Sequence, residues 1–152
     1  MKLAEALQER ADLNRKIDEL DRRIRQNVLV QQGEEPSEDP NAMFEELKRA
    51  RDRLETIIRQ INFSNCKHLV GGRSLTEIIA RKDTLKMLYD AYRNALGAAT
   101  QATSRARGTE IKILPVVDIK ALRKESDEVA KEIRNLDSTL QQANWTFDLI
   151  ED

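Results

Sequence analysis

The chain has 152 residues, of which 35% are charged, 39% are apolar and 4% are aromatic. This length allows about one ordinary domain with its own core, and the scarcity of Gly and Pro favours long helices because little interrupts the backbone hydrogen bonds. A formal net charge of −1 with both signs interleaved excludes a global field that would attract nucleic acid or an anionic membrane.

Cysteine content and the N-terminal composition predict a cytoplasmic protein. Cys66 is the only cysteine, so it has no partner for an internal disulfide. The first residues, MKLAEALQERADL, are charged throughout and lack the apolar core of a signal peptide. No apolar run approaches the roughly 20 residues that span a bilayer. We therefore expect a reducing, cytoplasmic location without membrane contact.

The first predicted helix covers residues 2–30. Between Leu3 and Asn27, residues at alternating spacings of three and four form a single stripe along the helix. This stripe, which we call the seam, includes the polar Arg10. This heptad spacing is typical of a helix that packs along one stripe.

A polar segment with many turn-forming residues, QQGEEPSEDP at 31–40, predicts a linker. Asp39 is expected to cap the second helix, and Pro40 to be its first residue, where a missing N–H costs nothing. The second helix is predicted over residues 40–65.

The next segment, CKHLVGGRS, predicts a tight reversal and a small β-hairpin, because Gly71 and Gly72 tolerate positive φ angles. Ser74 and Glu77 then have the spacing of a capping box. The third helix is predicted to follow over residues 75–103.

The segment TEIKILPVVD at 109–118 alternates β-branched and polar residues and contains Pro115, which is excluded from the middle of a sheet. It predicts a short edge strand. Asp118 is expected to cap a fourth helix over residues 118–146.

The four helices have similar predicted lengths, roughly 40 Å at 1.5 Å per residue, and each apolar stripe is wider than a two-stranded coiled coil needs. The sequence therefore predicts an all-α, up-down antiparallel four-helix bundle with coiled-coil-like seams and small β additions in the loops. We expect one domain over residues 1–152. The wide stripes and the few aromatic residues also predict a homo-oligomer.

Antiparallel pairing predicts which residues face one another. If the first turn lies midway between residues 30 and 41, Arg10 faces Ile61 and Asn62. By the same reasoning in the second hairpin, Arg81 lies beside Asp137, the carboxylate expected to pair with it.

Both sets lie at the same end of an up-down bundle, so polar side chains are expected to form one layer there. Its predicted members are Arg10, Asp12, Asn62, Asn65, Arg81, Asp83, Asp137, Gln141, Asn144 and Trp145. One interpretation is a layer that specifies register and partner number. Another is a pocket for a small polar or anionic ligand, with arginines as cationic donors, asparagines as hydrogen-bonding groups and the indole as a stacking wall. A catalytic pair formed by Asp83 and Asp137 is a third.

Other sites have weaker support. Cys66 and His68 are two metal ligands without a second pair at suitable spacing, so no metal site is predicted. A thiol nucleophile would need His68 as its base, in a loop geometry that the sequence does not specify. The Gly pair lacks the Lys-Ser/Thr of a phosphate-binding loop, and no other cofactor motif is present. The basic stretch SRARGTEIK has no interleaved aromatic residues, so nucleic-acid binding is not expected.

Several ordered segments resemble the septicolysin-like family of small bacterial proteins. They are KLAEALQERADL, QQGEEPSEDP, QINFSN, SLTEIIARKDTL, TEIKI and RNLDSTLQQANW. The resemblance includes residues of the polar layer but implies no established catalytic residue. This chain departs from the family at Gly71-Gly72, where an acidic residue more usually precedes the Gly.

Taken together, these features predict a non-enzymatic helical oligomer that acts through self-assembly or protein contacts. The alternative function is binding or sequestering a small anionic, nucleotide-like ligand in the polar layer.

Overall fold

The computed structural model describes residues 1–105 and 111–151. It confirms the predicted all-α fold with a small β-hairpin. The elements in chain order are α1 (Leu3–Asn27), α2 (Pro40–Lys67), β1 (Leu69–Val70), β2 (Arg73–Ser74), α3 (Leu75–Arg105) and α4 (Ile119–Thr146). The predicted helices differ from these by at most three residues at any end, because caps and turn residues mark the ends in the sequence.

The caps of α2 and α4 are those that the sequence predicts. The Asp39 carboxylate accepts a hydrogen bond of 2.9 Å from the Asn41 amide, and Pro40 is the first residue of α2. The Asp118 carboxylate accepts one of 3.0 Å from the Ala121 amide. Each carboxylate satisfies an amide that has no partner within its helix.

The reversal before α3 is also confirmed. Gly71 and Gly72 have φ angles of 58° and 80°, the combination that a two-residue hairpin turn requires. The Glu77 carboxylate accepts hydrogen bonds from the Ser74 amide at 2.7 Å and the Ser74 hydroxyl at 2.8 Å, and the Glu77 amide donates to the Ser74 hydroxyl oxygen at 3.2 Å. This capping box joins the hairpin directly to α3.

The predicted edge strand is wrong over the part that the structure describes. Residues 111–118 contain no strand, whereas 109 and 110 lie outside the described residues. β1 and β2 pair with each other over two residues each. Pro115 has no N–H to donate to a neighbouring strand. The segment therefore lacks a backbone hydrogen bond that strand pairing would use, despite its β-branched residues.

The chain divides into two compact units. Unit 1 comprises Met1–Leu69 and Ala143–Asp152, and unit 2 comprises Val70–Gln142. The single domain expected over residues 1–152 stays a prediction.

Unit 1 is built on the antiparallel pair α1 and α2. Leu20, Ile24 and Met43 form a buried cluster against which Leu47 packs. Towards the other end of α2, Ile57 and Ile61 are also buried. These positions are the apolar seams that the heptad spacing predicts.

The last residues of unit 1 form a segment that we call the C-terminal clip, residues 147–150. The Leu3 amide donates to the Phe147 carbonyl at 3.0 Å, and the Leu149 amide donates to the Met1 carbonyl at 2.8 Å. The Ile150 amide donates to the hydroxyl of Ser64, a fully buried residue of α2, at 2.8 Å. The clip therefore ties the start of α1 to the end of α2.

Unit 2 is built on α3 and α4, which also run antiparallel. Lys82 forms an ion pair with Asp137 at 3.0 Å, and Arg81 forms one with Glu132 at 2.9 Å. Lys82, near the start of α3, thus meets Asp137 in the second half of α4, whereas Tyr92, ten residues further along α3, hydrogen-bonds with Glu125 near the start of α4. Among the described residues of this unit, those that are buried are Leu75, Ile78, Leu85, Ala99, Ser126 and Leu140.

Candidate functional site

The register of α1 against α2 differs from the predicted one. Glu9 pairs with Arg53 at 2.6 Å, and Lys16 pairs with Glu46 at 2.7 Å. By the same register Arg10 lies level with residue 52, so the prediction that it faces Ile61 and Asn62 was wrong. The difference is about ten residues, or about 15 Å along the helix.

The linker between the two helices explains this shift. The Glu38 amide donates to the Asn27 side-chain oxygen at 3.1 Å, and Arg23 Nε donates to the Glu38 carboxylate at 3.0 Å. The Arg23 guanidinium also lowers the pKa of Glu38. The linker thus returns alongside the last turns of α1 before α2 begins, whereas the prediction assumed a symmetric turn.

Six of the predicted site residues belong to unit 1. Arg10, Asn65 and Asn144 are half-buried, whereas Asp12, Asn62 and Trp145 are exposed. Trp145 borders a groove of about 380 Å³ whose other lining residues include Glu5, Glu9 and Asp12. Because carboxylates repel an anion, this groove does not suit the indole's predicted role as the stacking wall of an anion pocket.

The other four predicted site residues belong to unit 2. They are Arg81, Asp83, Asp137 and Gln141. The predicted pairing of Arg81 with Asp137 is wrong. Asp137 pairs with Lys82, whose side chain is only 17% exposed, and also accepts a hydrogen bond of 2.9 Å from Gln141. Lys82 occupies the seam position of α3, four residues after Ile78, whereas Arg81 lies to one side and pairs with Glu132. Asp83 is exposed.

The Lys82 ammonium lowers the pKa of Asp137, mainly through their hydrogen bond, with a smaller contribution from Gln141. The unfolded chain therefore takes up this proton at a higher pH than the folded chain. The contribution of the pair is present above the ordinary Asp value of about 4 and is lost as the pH falls through the lowered pKa.

We expect Asp137→Asn to lower the free energy of unfolding at pH 7 by less than about 1 kcal/mol, because the carboxylate is partly exposed and screened. Urea unfolding of both proteins from pH 7 to pH 2 measures this difference. It should disappear at the acidic end, and a difference that stays constant with pH would contradict the pairing.

Sequence reasoning missed the structural role of His68. Its ring stacks on that of Phe147, with centroids 4.3 Å apart, and its Nε2 lies 2.8 Å from the Asp148 carbonyl oxygen. The contact joins residues 80 positions apart, so no local pattern could predict it. Among the described residues, no group of three or more His, Cys, Asp and Glu side chains could hold a metal ion.

Comparison with known proteins places the chain in a family. A family model described as a family of unknown function, DUF6847, matches residues 10–149. The chain belongs to this family. A crystal structure of a functionally unknown conserved protein from Corynebacterium diphtheriae is 31% identical, covers 99% of both chains and has a TM-score of 0.93. No curated protein matches.

The family description states no activity, and the septicolysin-like resemblance stays a prediction. Within the part of the chain that the structure describes, none of the helices is both long enough and apolar enough to cross a membrane. Function must therefore be inferred from the exposed and half-buried faces of the two units.

Proposed function

We propose that the protein is non-enzymatic and acts by assembling with further copies of itself. The main support for this proposal is that three helices each contain a long segment without a buried residue. No residue is buried within residues 7–19 of α1, 86–98 of α3 or 127–139 of α4. We call these three segments the open stretches.

The open stretches are not polar. Leu13 and Ile17 in α1 and Val129 and Ile133 in α4 are only half-buried, although they occupy seam positions. Leu88 in α3 is exposed. A pair of helices buries the stripe along its contact and leaves the outer part of a broad stripe in water. Covering such a stripe with another helix pair stabilises the assembly by about 25 cal/mol per Å² of apolar surface removed from water.

A second feature of unit 1 agrees with this proposal. The outer face of α2 carries a groove of about 580 Å³ that includes Leu54 and Ile58. Phe44, on the same helix, is also exposed. Leu54 and Ile58, one turn apart on this face, form a small apolar patch of the kind found at protein–protein contacts.

We expect wild-type protein to have a molar mass in solution of two or more times the 17.5 kDa of one chain. Leu88→Glu should shift this mass towards that of one chain. The substitution places a carboxylate in the open stretch of α3, where an interface would bury it without a partner. Size-exclusion chromatography with light scattering over a range of concentrations measures this shift.

Leu114→Glu is the matched control. Leu114 is 70% exposed and precedes α4, outside the open stretches, whereas Leu88 lies within one of them. The control should assemble like wild type. Wild-type protein that remains monomeric at every concentration would contradict the proposal, as would equal effects of the two variants.

The alternative, a small anionic ligand in the polar layer, stays a prediction and has less support. In unit 1, Arg10 and Asn62 lie at different levels of the helix pair. In unit 2, Lys82, Asp137 and Gln141 satisfy one another. Neither arrangement makes several donors converge on one position, which is what an anion pocket needs.

A further inference from the structure

Arg10 is a half-buried cation of the α1–α2 pair that has no partner among the described residues. It is half-buried in the open stretch of α1, and within that part of the chain no hydrogen bond or ion pair reaches its guanidinium. Asp52, on the level of Arg10 in α2, pairs with Arg51 instead. Arg23 and Arg53, two other arginines beside this helix contact, each bind a carboxylate.

A half-buried guanidinium on an apolar stripe is an incomplete site. It has lost part of its hydration, and its planar donors suit a carboxylate in a bidentate geometry. Since the described residues of the same chain supply no carboxylate, a second copy of the chain can supply one.

The α4 helix presents a carboxylate on a matching surface. Val129, Glu132 and Leu136 are all half-buried in its open stretch, and their spacings of three and four place them on one face of the helix. The Glu132 side chain is 43% exposed although it pairs with Arg81. A carboxylate has about four acceptor positions, so Glu132 can bind a second arginine.

We propose that the open stretch of α1 in unit 1 docks on the α3–α4 hairpin of a second copy, where Arg10 binds Glu132. This inference rests on the proposed self-assembly and specifies which surfaces meet. The proposed contact is reciprocal, with unit 1 of each copy on unit 2 of the other, so that two copies form a symmetric dimer.

Net charge and area agree with this pairing. Unit 1 has 13 Lys and Arg against 17 Asp and Glu, a net charge of −4, whereas unit 2 has 13 against 10, a net charge of +3. Pairing unlike units avoids bringing together net charges of the same sign. A two-helix face about 20 Å long and 20 Å wide covers about 400 Å², so two such contacts bury about 800 Å² per copy, the usual size of a stable interface.

Two variants with reversed charge test the inference. In the first, Arg10→Glu reverses the charge in unit 1. The second variant combines Arg81→Glu with Glu132→Arg, which swaps the two charges of this ion pair in unit 2. The ion pair within the chain is kept, but Arg10 of the other copy now meets a positive charge at position 132. Each variant alone should assemble at least about tenfold more weakly than wild type, because both contacts of the dimer then place like charges together.

Mixing the two variants should restore assembly. In the mixed dimer, the carboxylate introduced at position 10 of one copy meets the guanidinium introduced at position 132 of the other, and the second contact has its wild-type charges. Native mass spectrometry distinguishes this mixed dimer from either homodimer by mass. Arg25→Glu, an exposed change on the same helix but outside the open stretch, is the control and should leave assembly unchanged. Circular dichroism checks that every variant folds, and Arg10→Gln replaces Arg10→Glu if the latter does not.

The outcomes separate the two proposals. A wild-type protein that is always monomeric overturns both. Wild-type assembly with Arg10→Glu unchanged overturns only the docking of Arg10. Weaker assembly without rescue by mixing also overturns it, and would indicate that Arg10 binds another anion, such as a small ligand.

Discussion

Replacing Ile57 by alanine should lower the free energy of unfolding by about 2–5 kcal/mol, the usual cost of removing a large aliphatic side chain from a core. Ile57 is fully buried in the seam between α1 and α2. The substitution removes apolar contacts and leaves a cavity that the two helices fill only in part. Urea unfolding followed by circular dichroism measures the change.

The adjacent Ile58 offers a control with the same residue type and the same substitution. Ile58 is 37% exposed and lies on the outer groove of α2. Ile58→Ala should cost less than about 1 kcal/mol when both variants are measured at a concentration low enough to dissociate any oligomer. Equal costs would mean that the buried face of α2 is assigned incorrectly.

Ending the chain after Thr146 should lower the free energy of unfolding by about 3–5 kcal/mol, because it removes the C-terminal clip. The truncation loses the burial of Leu149, worth about 2 kcal/mol. It also loses backbone hydrogen bonds worth about 1 kcal/mol each, and leaves the buried Ser64 hydroxyl without the Ile150 amide. Part of this loss is offset, because the truncated chain does not pay the conformational entropy cost of ordering the removed residues.

Thermal unfolding and hydrogen exchange together test the role of the clip. The Leu3 amide, which donates to the Phe147 carbonyl, should exchange faster in the truncated protein. A chain that ends after Ile150 retains residues 147–150 and their hydrogen bonds to Met1, Leu3 and Ser64, and should unfold like wild type. A truncation after Thr146 that leaves both stability and exchange at Leu3 unchanged would show that the clip does not stabilise unit 1.

The polar layer shows why residue pairs were harder to predict than helices. The predicted contact of Arg10 with Asn62 assumed that the linker turns symmetrically, but Glu38 binds Arg23 and Asn27 and shifts the register. The choice between Arg81 and Lys82 as partner of Asp137 depended on which side chain occupies the seam, and adjacent residues differ by about 100° around the helix. The predicted gathering of all the polar residues at one end stays a prediction.

Local signals in the sequence determined the helices, their caps and the hairpin of this protein. Heptad spacing, Asp39, Asp118, the Ser74–Glu77 box and the Gly pair each act within a few residues, so their effects can be predicted from neighbours alone. Only the tertiary structure decided the register of α1 on α2, the partner of Asp137 and the position of the C-terminal clip. These depend on contacts between residues distant in the chain, whose energies are set by packing and not by local pattern.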